Sequence, residues 1–346
     1  MIRVLVIDDS AVMRAFLAKV VASQPDMELV GVSPDPLLAI ERIRRQPPDV
    51  ITLDVEMPRM NGLDFLRNLM AMRPLPVIMI SSLTQQGAET TMKALELGAV
   101  DFFPKPASFD QLESGAQEIA DKIRAAATAR VSRHRRMVTS SALAPLEPLP
   151  RVQGAAAVHR VIGIGASTGG VEALREVLTE LPANMPPILV AQHMPSGFTE
   201  TFARRLDTLC RIRVKQADDA EVVRTGVAYI APGGRHLMLV RRGAQFQLRV
   251  TEDPPVNRHR PSVDTLFRSI SRAAGGNAIG VMLTGMGADG AEAMLDMSRA
   301  GAYTIAQDEA SCIVFGMPRQ AIAMGGVRQV MSLSEIAARL EALAFA

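Results

Sequence analysis

The sequence predicts two α/β domains, each a doubly wound parallel sheet flanked by helices, with a small antiparallel insertion in the second. Three observations carry this expectation. Strand-like apolar runs alternate with helix-like stretches over the first 128 residues, and again from Arg160. Between these stretches the periodicity stops. A chain of 346 residues also exceeds what one typical core can serve. The expected division is a domain over residues 1–128, a linker over 129–158 and a domain over 159–346.

In the first domain, strands are expected at Ile2–Ile7, Glu28–Val32, Val50–Leu53, Val77–Ile80 and Val100–Phe103. Helices are expected at Ala11–Ala22, Pro36–Arg45, Gly62–Met72, Gly87–Leu97 and Ser108–Thr128. Strand followed by helix, five times over, is the pattern of a parallel sheet. The segment from Ala129 to Val158 mixes RVSRHRR with SSALAPLEPLP and reads as a linker. Its cluster Arg133, His134, Arg135 and Arg136 suits either a solvated joint or a docking patch for an acidic partner. Beyond it, Val161–Ile164 and Ile188–Ala191 read as strands around a helix at Val171–Leu181. Val227–Ile230, His236–Val240 and Phe246–Val250 look like short hairpin strands. Ser262–Ala274 is helical, Ile279–Leu283 is a buried strand, and the loop TGMGADG leads into a helix at Ala291–Arg299.

The bulk composition is that of an ordinary soluble chain, 48% hydrophobic and 21% charged. A net charge of +2 gives no global field that would draw nucleic acid. No apolar run reaches the length of a membrane span, so no membrane insertion is expected. The opening MIRVLVIDDS is not a signal peptide. Two cysteines, Cys210 and Cys312, suggest no disulfide framework, and a reducing cytoplasm is the expected compartment.

Asp8 and Asp9 fall just after the first strand, and Asp54 ends the third. Carboxyl ends of neighbouring parallel strands lie together, and ligands bind there. Clustered carboxylates repel unless a hard cation joins them, and Mg²⁺ suits sparse oxygen ligation with retained waters. Ser82 follows the fourth strand and Lys105 the fifth. A carboxylate nucleophile, a metal, a hydroxyl and an ammonium suit phosphoryl transfer onto Asp54. The stretches IDDSAVMR, DVEMPRMNGLDFL, ISS and GAVDFFPKP resemble response-regulator receiver domains, which are flavodoxin-like. That resemblance implies Asp54 as phospho-acceptor. It implies Mg²⁺ held by Asp9 and Asp54, by Asp8 through water, and by the backbone carbonyl of Glu56. Ser82 and Lys105 would sense the phosphoryl group, and Phe103 stands where the family places a rotating aromatic.

In the second domain, VIGIGASTGGV ends an apolar run in a glycine-rich turn that presents Ser167. Ser167 could be a nucleophile, a phosphate ligand or a helix cap. His193 closes the next strand and Asp289 closes the TGMGADG loop, so a Ser–His–Asp set at strand ends is available. Singly, Asp289 also reads as an N-cap and His193 as a strand-end residue. The spacing departs from G-x-G-x-x-G, which argues against a dinucleotide loop. His236 and His259 are rival bases, but neither closes a parallel strand. Arg258 and Arg260 make the loop NRHRPSVD basic.

The stretches VIGIGASTGGVEAL, LVAQHMPSGFTETFARRL, VAYIAPGGRHLML, RHRPSVDTLFRSI, VMLTGMGADGAEAML and AQDEASCIVFGMPRQAI resemble the chemotaxis protein-glutamate methylesterases, the CheB family. The resemblance implies that Ser167, His193 and Asp289 form a catalytic triad. Thr168 lies beside the nucleophile, and backbone N–H groups near His193 and Met286 would form an oxyanion hole. It implies hydrolysis of glutamyl methyl esters on methyl-accepting chemoreceptors, deamidation of receptor glutamines, and no cofactor for the esterase. A chemotaxis histidine kinase would phosphorylate Asp54 and relieve inhibition by the receiver. A DNA-binding output would be the usual rival, but the second half lacks a basic recognition helix. A nucleotide-binding or scaffolding domain is the other rival.

Overall fold

The computed structural model describes residues 1–57, 61–106, 109–131 and 160–345, without the side chains of 109–114. The chain divides into two compact units, Met1–Ser141 and Ala142–Ala346. The linker cluster Arg133–Arg136 lies outside the described residues.

The first unit runs β1 (Ile2–Ile7), α1 (Ala11–Ala22), β2 (Met27–Ser33), α2 (Pro36–Arg45) and β3 (Val50–Asp54). It continues with α3 (Gly62–Met72), β4 (Val77–Ser81), α4 (Gln85–Glu96), β5 (Asp101–Pro104) and α5 (Phe109–Ala127). All pairings are parallel, in the order β2-β1-β3-β4-β5. Every residue of β3 and β4 is buried, as expected of strands covered on both faces. Short polar side chains start the helices, each accepting a backbone N–H: Ser10 for α1, Asp35 for α2, Asn61 for α3 and Thr84 for α4. The order reverses between β1 and β3, and a crevice for ligands opens at such a reversal.

The second unit opens with β6 (Val161–Ala166), α6 (Gly170–Glu180), β7 (Ile188–Gln192), α7 (Thr199–Leu209), β8 (Arg213–Gln216) and β9 (Val227–Ile230). A hairpin follows, β10 (His236–Arg242) and β11 (Gln245–Thr251), then α8 (Val263–Ala274) and β12 (Ala278–Met282). It closes with α9 (Ala291–Arg299), β13 (Tyr303–Gln307), α10 (Met317–Ala323), β14 (Gln329–Met331) and α11 (Leu333–Ala344). Seven parallel strands lie in the order β14-β13-β12-β6-β7-β9-β8. One expectation is corrected: Val227–Ile230 is not a hairpin strand but lies parallel between β7 and β8. Among the described residues the antiparallel sheet is the pair β10–β11.

The second reversal falls between β6 and β12. Helix α8 lies close over β6 because β6 carries glycines there. A Cβ at Gly163 would stand 2.6 Å from Ile270 Cδ1, and one at Gly165 would strike Val263. This close approach brings the start of α8 to the carboxyl end of the central strand, where the site forms.

Candidate active site

At the first reversal, Asp8 and Asp54 are buried and Asp9 is exposed. Carboxylate oxygens of the three lie within 4.8 Å of one another. Asp8 Oδ1 accepts from the Ser10 N–H at 2.8 Å, while its Oδ2 is buried with no partner. A buried anionic oxygen without a donor is costly, and a divalent cation would satisfy it. Asp8, Asp9 and Asp54 therefore fit a metal. Lys105 Nζ donates to Asp54 Oδ2 at 2.7 Å, and the Glu56 N–H donates to Asp54 Oδ1 at 3.1 Å. Burial, reinforced by the charge of Asp8, pushes the Asp54 carboxyl up to about 7 against the pull of Lys105. Burial disfavours the Lys105 ammonium, but Asp54, Asp8 and Asp9 outweigh it and its pKa is raised. Ser82 Oγ donates to the Glu56 carboxylate at 3.4 Å, which brings Ser82 to the same end of the sheet. Phe103 is buried, and its ring lies against α5 at Gly115, where a Cβ would stand 2.8 Å from Phe103 Cζ.

Arg14 was not singled out in the sequence. Its Nη1 donates to the carbonyls of Asp8 and Asp9, both at 2.9 Å, and so fixes the turn that carries the two acids.

At the second reversal, Ser167 follows β6 and its carbonyl accepts the Gly170 N–H at 2.7 Å. Gly169 sits at φ 78°, a left-handed value open to glycine, and a Cβ there would lie 2.6 Å from Ile313 Cβ. The loop after β12 lies directly on Ser167. Thr284 O accepts the Ser167 N–H at 3.0 Å, and a Cβ at Gly285 would stand 2.8 Å from Ser167 Cβ. Thr284 is itself held: its N–H donates to Gln307 Oε1 at 2.8 Å and its hydroxyl to Thr168 O at 3.0 Å. Gly316 and Met317 donate their N–H groups to Gly285 O, which seats the half-buried Met286 next to it.

His193 follows β7. Its own N–H is committed to Ala166 O at 3.0 Å, so that group is unavailable to an oxyanion. Gln192 Nε2 donates to both Ser167 O (3.0 Å) and His193 O (3.1 Å), tying the two strand ends together. The imidazole Nε2 lies 2.9 Å from Asp289 Oδ2, while Nδ1 is buried and has no partner.

Asp289 is 2% exposed, and donors surround it. Ser262 Oγ and Asn257 Nδ2 each donate to Oδ1 at 2.8 Å, and the Val263 N–H donates to Oδ2 at 2.6 Å. Asp289 is not the N-cap of its own helix, because Gly290 takes that place in α9. Instead its carboxylate docks on the amino end of the neighbouring α8, where the helix dipole favours an anion. Burial alone would raise its pKa. The bond to His193 and that residue's charge, with Asn257 and Val263, hold it down at about 2. A buried carboxylate that stays ionised can orient and stabilise an imidazolium.

The rival histidines separate clearly. His236 is buried, accepts the Ser262 N–H at Nδ1 (3.2 Å) and faces Pro254 O with Nε2 (3.1 Å), so its ring is consumed by structure. His259 instead stacks on His193, with ring centroids 3.7 Å apart and planes 11° from parallel. Arg260 donates to Glu252 O and Asp253 O, holding its own loop. Thr168 is buried beside Ser167. Asn257, Ser262, Gln192 and Gln307 were missed in the sequence. Ser262 could have been found as an N-cap signal before VDTLF, though not its bond across to Asp289.

Fold and site define a class: a receiver domain coupled to a second α/β domain that carries a serine, a histidine and a buried aspartate at its sheet reversal. Residues 4–117 match the response regulator receiver domain model and residues 162–340 match the CheB methylesterase model. The chain belongs to the CheB methylesterase family. A protein-glutamate methylesterase/protein-glutamine glutaminase of Burkholderia lata is 55% identical, covering 99% of this chain and 95% of that one. One from Paraburkholderia xenovorans is 54% identical, covering 99% and 96% respectively. The catalytic domain of Thermotoga maritima CheB methylesterase matches in structure, with a TM-score of 0.52 and 38% identity. The match covers 53% of this chain and 98% of that domain. No helix among the described residues is long and apolar enough to cross a membrane.

Proposed function

We propose that this chain is a phosphorylation-controlled protein-glutamate methylesterase and protein-glutamine glutaminase, acting on methyl-accepting chemoreceptors in the cytoplasm. Residues 1–128 form its receiver, 129–158 the link and 159–346 the catalytic domain. The observation that carries the reading is the buried, ionised Asp289 bonded to His193 at the strand end beside Ser167.

In this reading Nε2–H of His193 donates to Asp289, which leaves Nδ1 as the base. Nδ1 takes the Ser167 proton as Oγ attacks the γ-carbonyl of a glutamyl methyl ester. The tetrahedral oxyanion is stabilised by backbone N–H groups around Met286, with Thr168 holding the neighbouring chain. Methanol leaves with the proton from the imidazolium, and water then hydrolyses the acyl-enzyme by the same route. A glutamine side chain presents the same carbonyl with ammonia as leaving group, so one site serves both activities.

Asp54 is the phospho-acceptor and a chemotaxis histidine kinase the donor. Asp8, Asp9, Asp54 and the Glu56 carbonyl would hold Mg²⁺, which supplies charge neutralisation for phosphoryl transfer when bound. Lys105 and Ser82 engage the phosphoryl group, and Phe103 relays its presence. Nucleic acid has no part in this reading. Methanol release from methylated receptors, with and without a small phosphodonor, tests it. Release that is absent in both conditions contradicts the reading.

A further inference from the structure

The turn Val256–His259 lies outside the three side chains invoked above, yet it touches two of them. Val256 and His259 exchange backbone hydrogen bonds at 3.1 and 2.9 Å, closing a two-residue turn. Its central residues, Asn257 and Arg258, sit at φ 52° and 66°. Positive φ at both positions favours asparagine or glycine. Asn257 Nδ2 uses both its protons, one on Asp289 Oδ1 at 2.8 Å and one on Asp264 Oδ2 at 2.6 Å. Both acceptors are buried carboxylates. A neutral amide is the group that can bridge two carboxylates without adding charge, where a lysine would add it and an acid would repel. Two residues on, His259 stacks on the face of His193.

We propose that Asn257 is a positioning residue for the hydrolytic site: its amide pins the turn to Asp289 and Asp264 and thereby holds His259 flat against His193. This inference rests on the assignment of Ser167, His193 and Asp289 made above. The His193 ring is otherwise fixed through its Nε2 bond to Asp289, about which it could still tilt, and the stacked ring removes that freedom. Charged and titratable groups around the pair come from three segments: Asp289 after β12, Asp264 on α8 and His259 on the turn, with Arg268 acting on Asp264.

The test uses the full chain with Asn257→Gly, which keeps a left-handed backbone and removes the amide. A misplaced base costs turnover, so kcat for methanol release should fall about tenfold or more, with KM changed less than about threefold. The rate at which a fluorophosphonate labels Ser167 should fall in parallel. His259→Ala should lower kcat similarly, and the double variant should fall no further than the worse single one, because both act through one stack. An Asn257→Gly protein with kcat and labelling rate within threefold of the parent overturns the proposal. Fully additive losses in the double variant overturn it as well. Ser167→Ala serves as the control. If it is inactive while Asn257→Gly is normal, only this inference fails; if it stays active, the triad assignment itself fails.

Discussion

Both domains put their candidate site residues where a parallel sheet reverses its strand order, yet the two reversals are electrostatic opposites. Between β1 and β3 three carboxylates crowd together, and one oxygen of Asp8 is buried without a donor. Between β6 and β12 the buried Asp289 carboxylate is surrounded by donors from α8, Asn257 and His193, although a second buried carboxylate, Asp264, lies close enough to share Asn257. Burial wins in the first case and pushes Asp54 up to about 7; donors win in the second and hold Asp289 at about 2. The same topology thus makes an under-neutralised site that invites a cation, and a self-sufficient site that holds a fixed anion. What decides is the set of donors: Asp289 also has an acid nearby, Asp264, but a helix amino end, a hydroxyl, an amide and an imidazole outweigh it.

The sharpest way to break this contrast is to remove the fixed anion. Asp289→Ala should cost about 10⁴-fold in kcat, the scale seen when a triad aspartate is lost, while also destabilising the domain by about 1–3 kcal/mol because the Val263 N–H is orphaned. Methanol release and thermal unfolding check the two parts. Next comes the close approach at Ser167. Gly285→Ala pushes a methyl toward Ser167 Cβ and Met317, and a shift of this kind should lower kcat by about 10–100-fold without loss of fold. Steady-state kinetics beside a far-ultraviolet spectrum measures it.

The receiver should respond to metal where the second domain does not. Mg²⁺ at 100 times its Kd should stabilise the receiver by about 2.7 kcal/mol, and Asp8→Asn should abolish most of that gain. Calorimetry with and without EDTA reads both. The smallest effect is in pH. Because the folded Asp54 pKa is raised, the folded receiver retains a proton that the unfolded chain has released, so its stability falls as pH rises from about 4 to 7. Asp289 is depressed instead, so its contribution is complete above about pH 4 and fades as pH drops toward 2. Unfolding of each domain followed across pH 3–7 without divalent cations should show these opposite trends.

The acidic cluster was legible in the sequence because Asp8 and Asp9 directly follow a strand and Asp54 ends one, so local pattern alone placed it. Ser167 and His193 were legible for the same reason. Asp289 was legible as a strand-end acid, but its environment was not. Its capping partner is α8, which lies 26 residues upstream at Val263 and reaches it only because Gly163 and Gly165 let α8 settle on β6. Val227–Ile230 looked like a hairpin strand because it is short and follows irregular chain; its parallel neighbours β7 and β8 are set by packing. Asn257 lies in a stretch whose sequence signal is its basic residues, although Arg260 turns back onto its own loop.

On the proposed function, Ser167 is the nucleophile beside His193 and Asp289 and not a helix cap. Methanol release from methylated receptors by Ser167→Ala, in the full chain with a phosphodonor, measures this directly. The expected result is loss of all detectable release while Mg²⁺-dependent phosphorylation of Asp54 persists. Release at more than a tenth of the parent rate would contradict it.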